Sequence, residues 1–300
     1  MNKSSSNFLR YDISDINDPL LSEQLKQINE TEERRCRCLE VLRRDLKNLK
    51  DIEPCLEEDF LLRFLRVSKF DTSKALQRVL KYYQNFEIYL DVYKKMSFPL
   101  HDAECIKHLK LGPYRCRDNS FLVFAKPAID YKKFTFAQRF YLEVLSLHQV
   151  IENPVNQVCG GTYIIDHEGM DIHGFLAFTP FWVRLFVDSL VFTLPCRVKA
   201  LHFVNTPSFY PLILKLVFPF LPKKIQNRIF IHAKNDNWSK LHALISPDIL
   251  LEQYGGKLKP EDLIDCMHNL KEQEEKVFRL FAFGYIKTKS ARQSIKVLTW

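Results

Sequence analysis

Three hundred residues allow one large domain or two small ones, with enough chain to bury a sizeable core. At 46% hydrophobic and 27% charged, the composition is that of an ordered globular chain and excludes a disordered one. The net charge of +8 is concentrated: residues 197–240 carry eight Lys or Arg and one acid, Asp236, while the rest is near neutral. That placement argues against a nucleic-acid binder and for one local basic face.

The first 20 residues, "MNKSSSNFLRYDISDINDPL", contain no apolar run of secretory length, so no signal peptide is expected and 1–20 reads as a flexible arm. No window reaches the roughly 18 apolar residues of a spanning helix. The eight cysteines form no CxxC pair, and "CRC" at 36–38 is too tight for a zinc half-site. Reduced thiols, a cytoplasmic setting, no cofactor and no bound metal are the expectation.

From 22 to 50 the leucines at 39, 42, 46 and 49 recur at helical spacing. "EEDFLLRFLRV" (57–67) predicts a second helix, with acids in the turn where the helix dipole favours them. A third starts at 71–73, with Leu76, Val79, Leu80, Tyr83 and Phe86 on one face. Residues 21–96 therefore read as a helical subdomain. After Gly112-Pro113 strands are predicted at 120–126, 162–166, 198–205 and 229–232. Helices are predicted at 135–152, with a stripe through Phe136, Phe140, Val144 and Leu147, and at 180–193 and 238–244. Such alternation implies an α/β class with a largely parallel sheet over 97–260. A helix at 261–281 and a tail complete the chain to residue 300.

One stretch resists an ordinary reading. "NTPSFYPLILKLVFPFLPKKIQNRI" (205–229) holds ten apolar residues and one charge, Lys215, between 208 and 221, then turns basic. On a helix, Phe209, Leu212, Ile213, Leu216 and Phe220 share one face, and Tyr210, Leu214, Phe218 and Leu221 a second. A helix apolar on both faces is either buried on both or meets lipid. Pro219 kinks or ends it, and Pro222 suits the first turn of the next helix, where Lys224 and Arg228 point together.

Several segments carry a family resemblance. "FLLRFLRVSKFD" (60–71), "IID" (164–166), "RVKALHFVNTP" (197–207), "PFLPKKIQNRI" (219–229) and "YGGKL" (254–258) resemble, in order and spacing, the CRAL-TRIO lipid-binding family over about residues 22–280. The resemblance implies a helical N-terminal subdomain and an α/β lipid cage: a mostly parallel sheet, flanking helices and a mobile lid helix at about 206–221. It implies a carrier of a small hydrophobic lipid, of tocopherol, retinoid or phospholipid type. Such a carrier is expected to be monomeric, cytoplasmic and transiently peripheral on endosomal membranes.

The resemblance also assigns residues. The phosphoinositide cleft of tocopherol-transfer members corresponds to Arg197, Lys199, Lys224 and Arg228. A further basic position of that cleft is Ser68 here, with Lys69 beside it as a substitute. Two apart on a strand end, Arg197 and Lys199 are expected to share a side. The ligand cavity corresponds to Phe140, Glu143, Val144, Leu147, Ile165, Phe178, Phe186, Leu190 and Leu194. Lid and membrane contacts fall on Phe209, Leu212, Ile213, Leu216 and Phe220. Glu143 stands where tocopherol-type members carry a small polar residue. A carboxylate facing the cavity needs a partner, either a ligand hydroxyl or Arg139 or Lys126.

Two other functional classes use the same features. A lipid-sensing signalling or scaffold protein would use the same cage without transfer. A hydrolase reading rests on "DHEG" (166–169), but neighbouring strand residues point different ways and no GxSxG is present. Cys159 before Gly160-Gly161 lacks the lysine of a phosphate loop. No catalytic residue is assigned.

Overall fold

The computed structural model describes residues 8–94, 109–127, 135–176, 179–189, 194–233, 237–265, 270–280 and 282–286. The helical predictions before residue 95 are met with one break. In place of a single helix over 22–50, α1 (Ser22–Ile28) ends at Asn29 in the left-handed region (φ 58°), and α2 (Glu32–Lys47) restarts behind Thr31. The Thr31 hydroxyl accepts the Arg34 N–H at 3.2 Å, an N-cap that makes the restart cheap. A short strand, β1 (Ile52–Glu53), precedes α3 (Glu58–Val67) and the long α4 (Thr72–Lys94).

Phe60, Phe64, Tyr82 and Tyr83 form an aromatic knot between α3 and α4, with Phe60 and Phe64 centroids 5.0 Å apart. Its last hydroxyl, on Tyr83, accepts the Cys55 N–H at 2.8 Å. The buried Arg66 guanidinium lies 2.8 Å from the buried Glu30 carboxylate and donates to Gln157 Oε1 at 2.6 Å. This group ties α3 to the α1–α2 turn and to the sheet domain.

Within residues 1–20, read from sequence as a flexible arm, the carbonyls of Leu9, Arg10 and Tyr11 are bonded to Arg115. Arg115 is buried, and a buried guanidinium demands acceptors. It reaches the carbonyls of Arg10 and Tyr11 and the Asn156 side chain, while its own N–H donates to the Leu9 carbonyl.

The sheet has four parallel strands: β3 (Phe121–Ala125), β4 (Gly161–Asp166), β5 (Val198–Thr206) and β6 (Ile229–Ala233), with β6 at one edge. β2 (Leu109–Leu111) and β7 (Ile264–Asp265) add an antiparallel edge, giving the order β6-β5-β4-β3-β2-β7. β8 (Gly284–Tyr285) pairs with β1. Around the sheet lie α5 (Phe136–Val150), α6 (Pro154–Cys159), α7 (Ile172–Leu176), α8 (Pro180–Asp188), α9 (Tyr210–Val217), α10 (Lys223–Gln226), α11 (Ser239–His242) and α12 (Leu270–Leu280). α12 starts later than the expected 261, because Pro260–Asp262 form a 3-10 turn and β7 follows. α5 joins the two halves: Phe140 and Val144 pack in the cluster built on Phe60, Phe64 and Tyr82, and Leu147 and Val150 in the cluster built on the sheet.

Candidate functional site: a basic cleft and an apolar lid

The cleft is assembled from three separate parts of the chain. Helix α3 ends with Lys69 and Phe70 both left-handed (φ 55° and 57°), a conformation costing about 1 kcal/mol per non-glycine residue. It is held because Phe70 is buried, and it leaves Lys69 exposed. Ser68 is buried, so at this turn Lys69 is the residue presented outward.

The second part is the start of β5. Gly160 (φ 77°) and Gly161 lie against Arg197: a Cβ at Gly160 would sit 2.3 Å from the Arg197 carbonyl oxygen. Only glycine permits this approach, and the Gly161 N–H donates to that same carbonyl at 2.9 Å. The Cys159-Gly160-Gly161 segment is therefore the bed on which Arg197 rests. The Arg197 guanidinium donates to the Val158 carbonyl, and that of Arg228 to the Val198 carbonyl.

The third part is α10, which begins behind Pro222 and carries Lys224. Burial lowers the Lys224 pKa, and repulsion from Arg228, Lys69, Arg197 and Arg78 lowers it further. The charges acting most strongly on Lys224 are thus cations, the electrostatic condition of a site waiting for an anion. Arg78, on α4, was not foreseen. It lies over a hundred residues in sequence from Arg197, Lys224 and Arg228, and nothing in the local pattern of α4 links it to them.

Lys199 departs from expectation. Gly161 pairs with Val198 and Thr162 with Ala200, so Lys199 is the extra residue of a bulge, and a bulge re-aims its side chain. Its ammonium lies 3.3 Å from Asp118 Oδ2. The simple alternation that would place Arg197 and Lys199 on one side does not hold there.

The apolar stretch forms α9 and a 3-10 turn, Phe218–Phe220, where Pro219 ends the α-helical run. Its two faces differ. Tyr210 and Leu214 are buried on Met170 and Phe175, with Phe203, Phe209, Ile213 and Phe218 packed at the margin. Leu212 and Leu216 point outward, 63% and 71% exposed, and Phe220 is exposed with them. Ile172 and Leu176 on α7 and Phe181 on α8 are likewise exposed. Phe209 and Ile213 therefore belong to the packed margin, whereas Leu212, Leu216 and Phe220 form the outer surface.

Beneath α9 lies His167. Its ring stacks on Phe203 at 5.6 Å and meets Phe175 at 5.3 Å and Tyr210 at 4.9 Å. Burial lowers its pKa to about 4 against a weaker pull from Asp166, so the imidazole is neutral near pH 7. Asp166 turns the other way and accepts from Asn205, Gln253 and Tyr254. Glu168 pairs with Lys126 at 3.0 Å. The three residues of "DHEG" diverge.

Of the cavity candidates, Phe140, Val144, Leu147 and Leu194 are buried, and Ile165 is partly buried. Phe140 lies 6.2 Å from Trp182. They divide between two clusters, Phe140 and Val144 in one and Leu147, Ile165 and Leu194 in the other. Glu143 is half-buried on the same helix. Phe178 and Leu190 lie outside the described residues, as do the side chains of Phe86, Phe136, Arg139 and Phe186. No helix among the described residues is long and apolar enough to cross a membrane, and they contain no metal-ligand cluster.

Residues 114–256 match the CRAL/TRIO domain. Clavesin-2 of Rattus norvegicus is 32% identical over 224 residues, covering 73% of this chain and 67% of its own. Clavesin-1 of Rattus norvegicus is 30% identical over 239 residues, covering 75% and 66% respectively. Among solved structures, Sfh5 covers 83% of this chain and 99% of its own, with 12% identity and a TM-score of 0.48.

Proposed function

The chain belongs to the CRAL/TRIO family of lipid-binding proteins, and we propose that it is a carrier delivering a small hydrophobic lipid to phosphoinositide-bearing membranes. The cargo is of tocopherol, retinoid or phospholipid type and rests in the α/β cage beneath α9. The carrier works as a cytoplasmic monomer that visits endosomal membranes.

One observation carries the reading: α9 is apolar on both faces, and only one is buried. Tyr210 and Leu214 close over the aromatic nest of His167, Phe175 and Phe203, while Leu212 and Leu216 stand in solvent. A closed lid has an outer apolar face to offer a bilayer and an inner one to offer a lipid. Exposed apolar residues on α7 and α8 extend the surface that would dip into the membrane.

The cations of the cleft supply the second contact. Each Lys or Arg near an anionic surface contributes about 1 kcal/mol, so the group draws the protein down without making the attachment permanent. Arg197→Ala with Lys224→Ala removes two such contributions, and binding to phosphoinositide vesicles should weaken about thirtyfold. Cargo occupancy should be unchanged. The check is vesicle sedimentation at physiological salt, and equal binding by variant and parent would remove the cleft from the mechanism.

A further inference from the structure

His167 follows β4 directly, at the carboxyl end of the parallel strands, where open α/β sheets bind their ligands. Its backbone is fixed on both sides: the N–H donates to the Val204 carbonyl at 3.0 Å, and the carbonyl accepts the Met170 N–H at 3.0 Å. The residue is only 5% exposed, and its Nδ1 is buried with no hydrogen-bond partner among the described residues. Phe175, Phe203 and Tyr210 pack their rings on the imidazole, but a ring contact satisfies neither a nitrogen lone pair nor an N–H. A buried polar atom left alone costs free energy, and this one lies under the lid where the cargo is placed.

The surrounding charges narrow what its partner can be. The imidazole is neutral, and the charge that acts on it is that of the acid Asp166. Lys126 is taken by Glu168, and Lys215 of α9 is exposed. Arg197 stands at the opposite end of β5 from Val204, about 20 Å along the strand. An anionic head beside His167 would therefore meet an acid. A neutral hydroxyl suits the place, because it both donates and accepts and so satisfies Nδ1 in either tautomer.

We propose that His167 is the polar contact for the cargo and selects a neutral lipid bearing a hydroxyl over one with a phosphate or carboxylate head. The inference rests on the carrier reading above. It gives the cage the usual form of a small-molecule site, an apolar lining with a placed polar group that fixes orientation. A cargo without the hydroxyl would leave Nδ1 unpaired, and a site built to pair a hydroxyl discriminates against such an analogue.

His167→Leu removes the nitrogen but keeps the backbone bonds and the apolar surroundings, so the variant should fold. Binding is measured for retinol and α-tocopherol, each beside its analogue with hydrogen in place of the hydroxyl, and for phosphatidylcholine. Of a pair that binds, the parent should hold the hydroxyl-bearing member about three- to tenfold more tightly, and the variant should hold both alike. Phosphatidylcholine should bind the parent more weakly than that probe and the variant no worse than the parent. In His167→Asn the amide stands near the place of Nδ1, and the hydroxyl preference should persist. No hydroxyl preference in the parent, one that survives in His167→Leu, an equal loss of every probe, or tightest binding of phosphatidylcholine overturns the proposal. Failure of the carrier reading looks different: the parent then binds no probe of any kind, and this proposal falls with it.

Discussion

Leu212→Asp with Leu216→Asp should slow vesicle-to-vesicle delivery of cargo about a hundredfold or more while leaving the protein folded. Burying a leucine side chain contributes about 1.5–3 kcal/mol, so even partial insertion of two contributes about 3 kcal/mol to the membrane-bound state. Placing two carboxylates at an anionic bilayer then adds repulsion. Both residues are mostly exposed, so the free protein loses little stability. The packed face behaves differently: Leu214→Asp buries a charge against Met170 and Phe175 and should unfold the lid itself. A stopped-flow transfer assay separates the two, and wild-type transfer by the Leu212, Leu216 variant would mean that the outer face of α9 never meets lipid.

Glu30→Ala should cost about 3–5 kcal/mol of stability, the typical penalty for leaving one partner of a buried ion pair alone. The Arg66 guanidinium would retain Gln157 but lose every bond to the carboxylate. Because Glu30 lies in the α1–α2 turn, Arg66 on α3 and Gln157 on α6, the damage reaches the junction between the helical subdomain and the sheet domain. At roughly 2–4 °C per kcal/mol for a chain of this order of size, the melting midpoint should fall by about 10 °C. Replacing both partners with apolar residues, Glu30→Leu with Arg66→Met, should recover most of it, since the cost comes from the uncompensated charge. Thermal unfolding of the three proteins decides the matter, and a single-variant loss below about 1 kcal/mol would show the pair to be solvated.

The sequence carried the fold wherever the signal was local. "EEDFLLRFLRV" is strongly periodic and opens with acids, and α3 lies within a residue of its predicted span. The four parallel strands are short runs rich in β-branched and aromatic residues, and all four are present. Where a local feature was outvoted, the reading failed. The leucine stripe read at 39, 42, 46 and 49 lies wholly beyond Asn29, with no leucine between Leu25 and Leu39, so it carried no information on the break between α1 and α2. β2 and β7 have three and two residues, too few for a period, and they exist because each completes the other's ladder.

The candidate site shows the same division. Lys224 and Arg228 are expected as a helical pair, but α10 ends at Gln226 and Arg228 lies beyond it, just before β6, while Arg78 joins them through tertiary packing alone. The apolar character of α9 was plain, but which face turns inward depends on Phe175 and Met170, about forty residues away. The bulge at Lys199 is a property of the pairing between β4 and β5 rather than of either strand, so its diversion to Asp118 could not be read from alternation.

The central claim is that a lipid lies enclosed beneath α9, and native mass spectrometry of gently purified protein tests it most directly. The account predicts a mass in excess of the bare chain by one small lipid, an excess that disappears after incubation with phosphoinositide vesicles. A bare chain, before and after exposure to lipid vesicles, would contradict it.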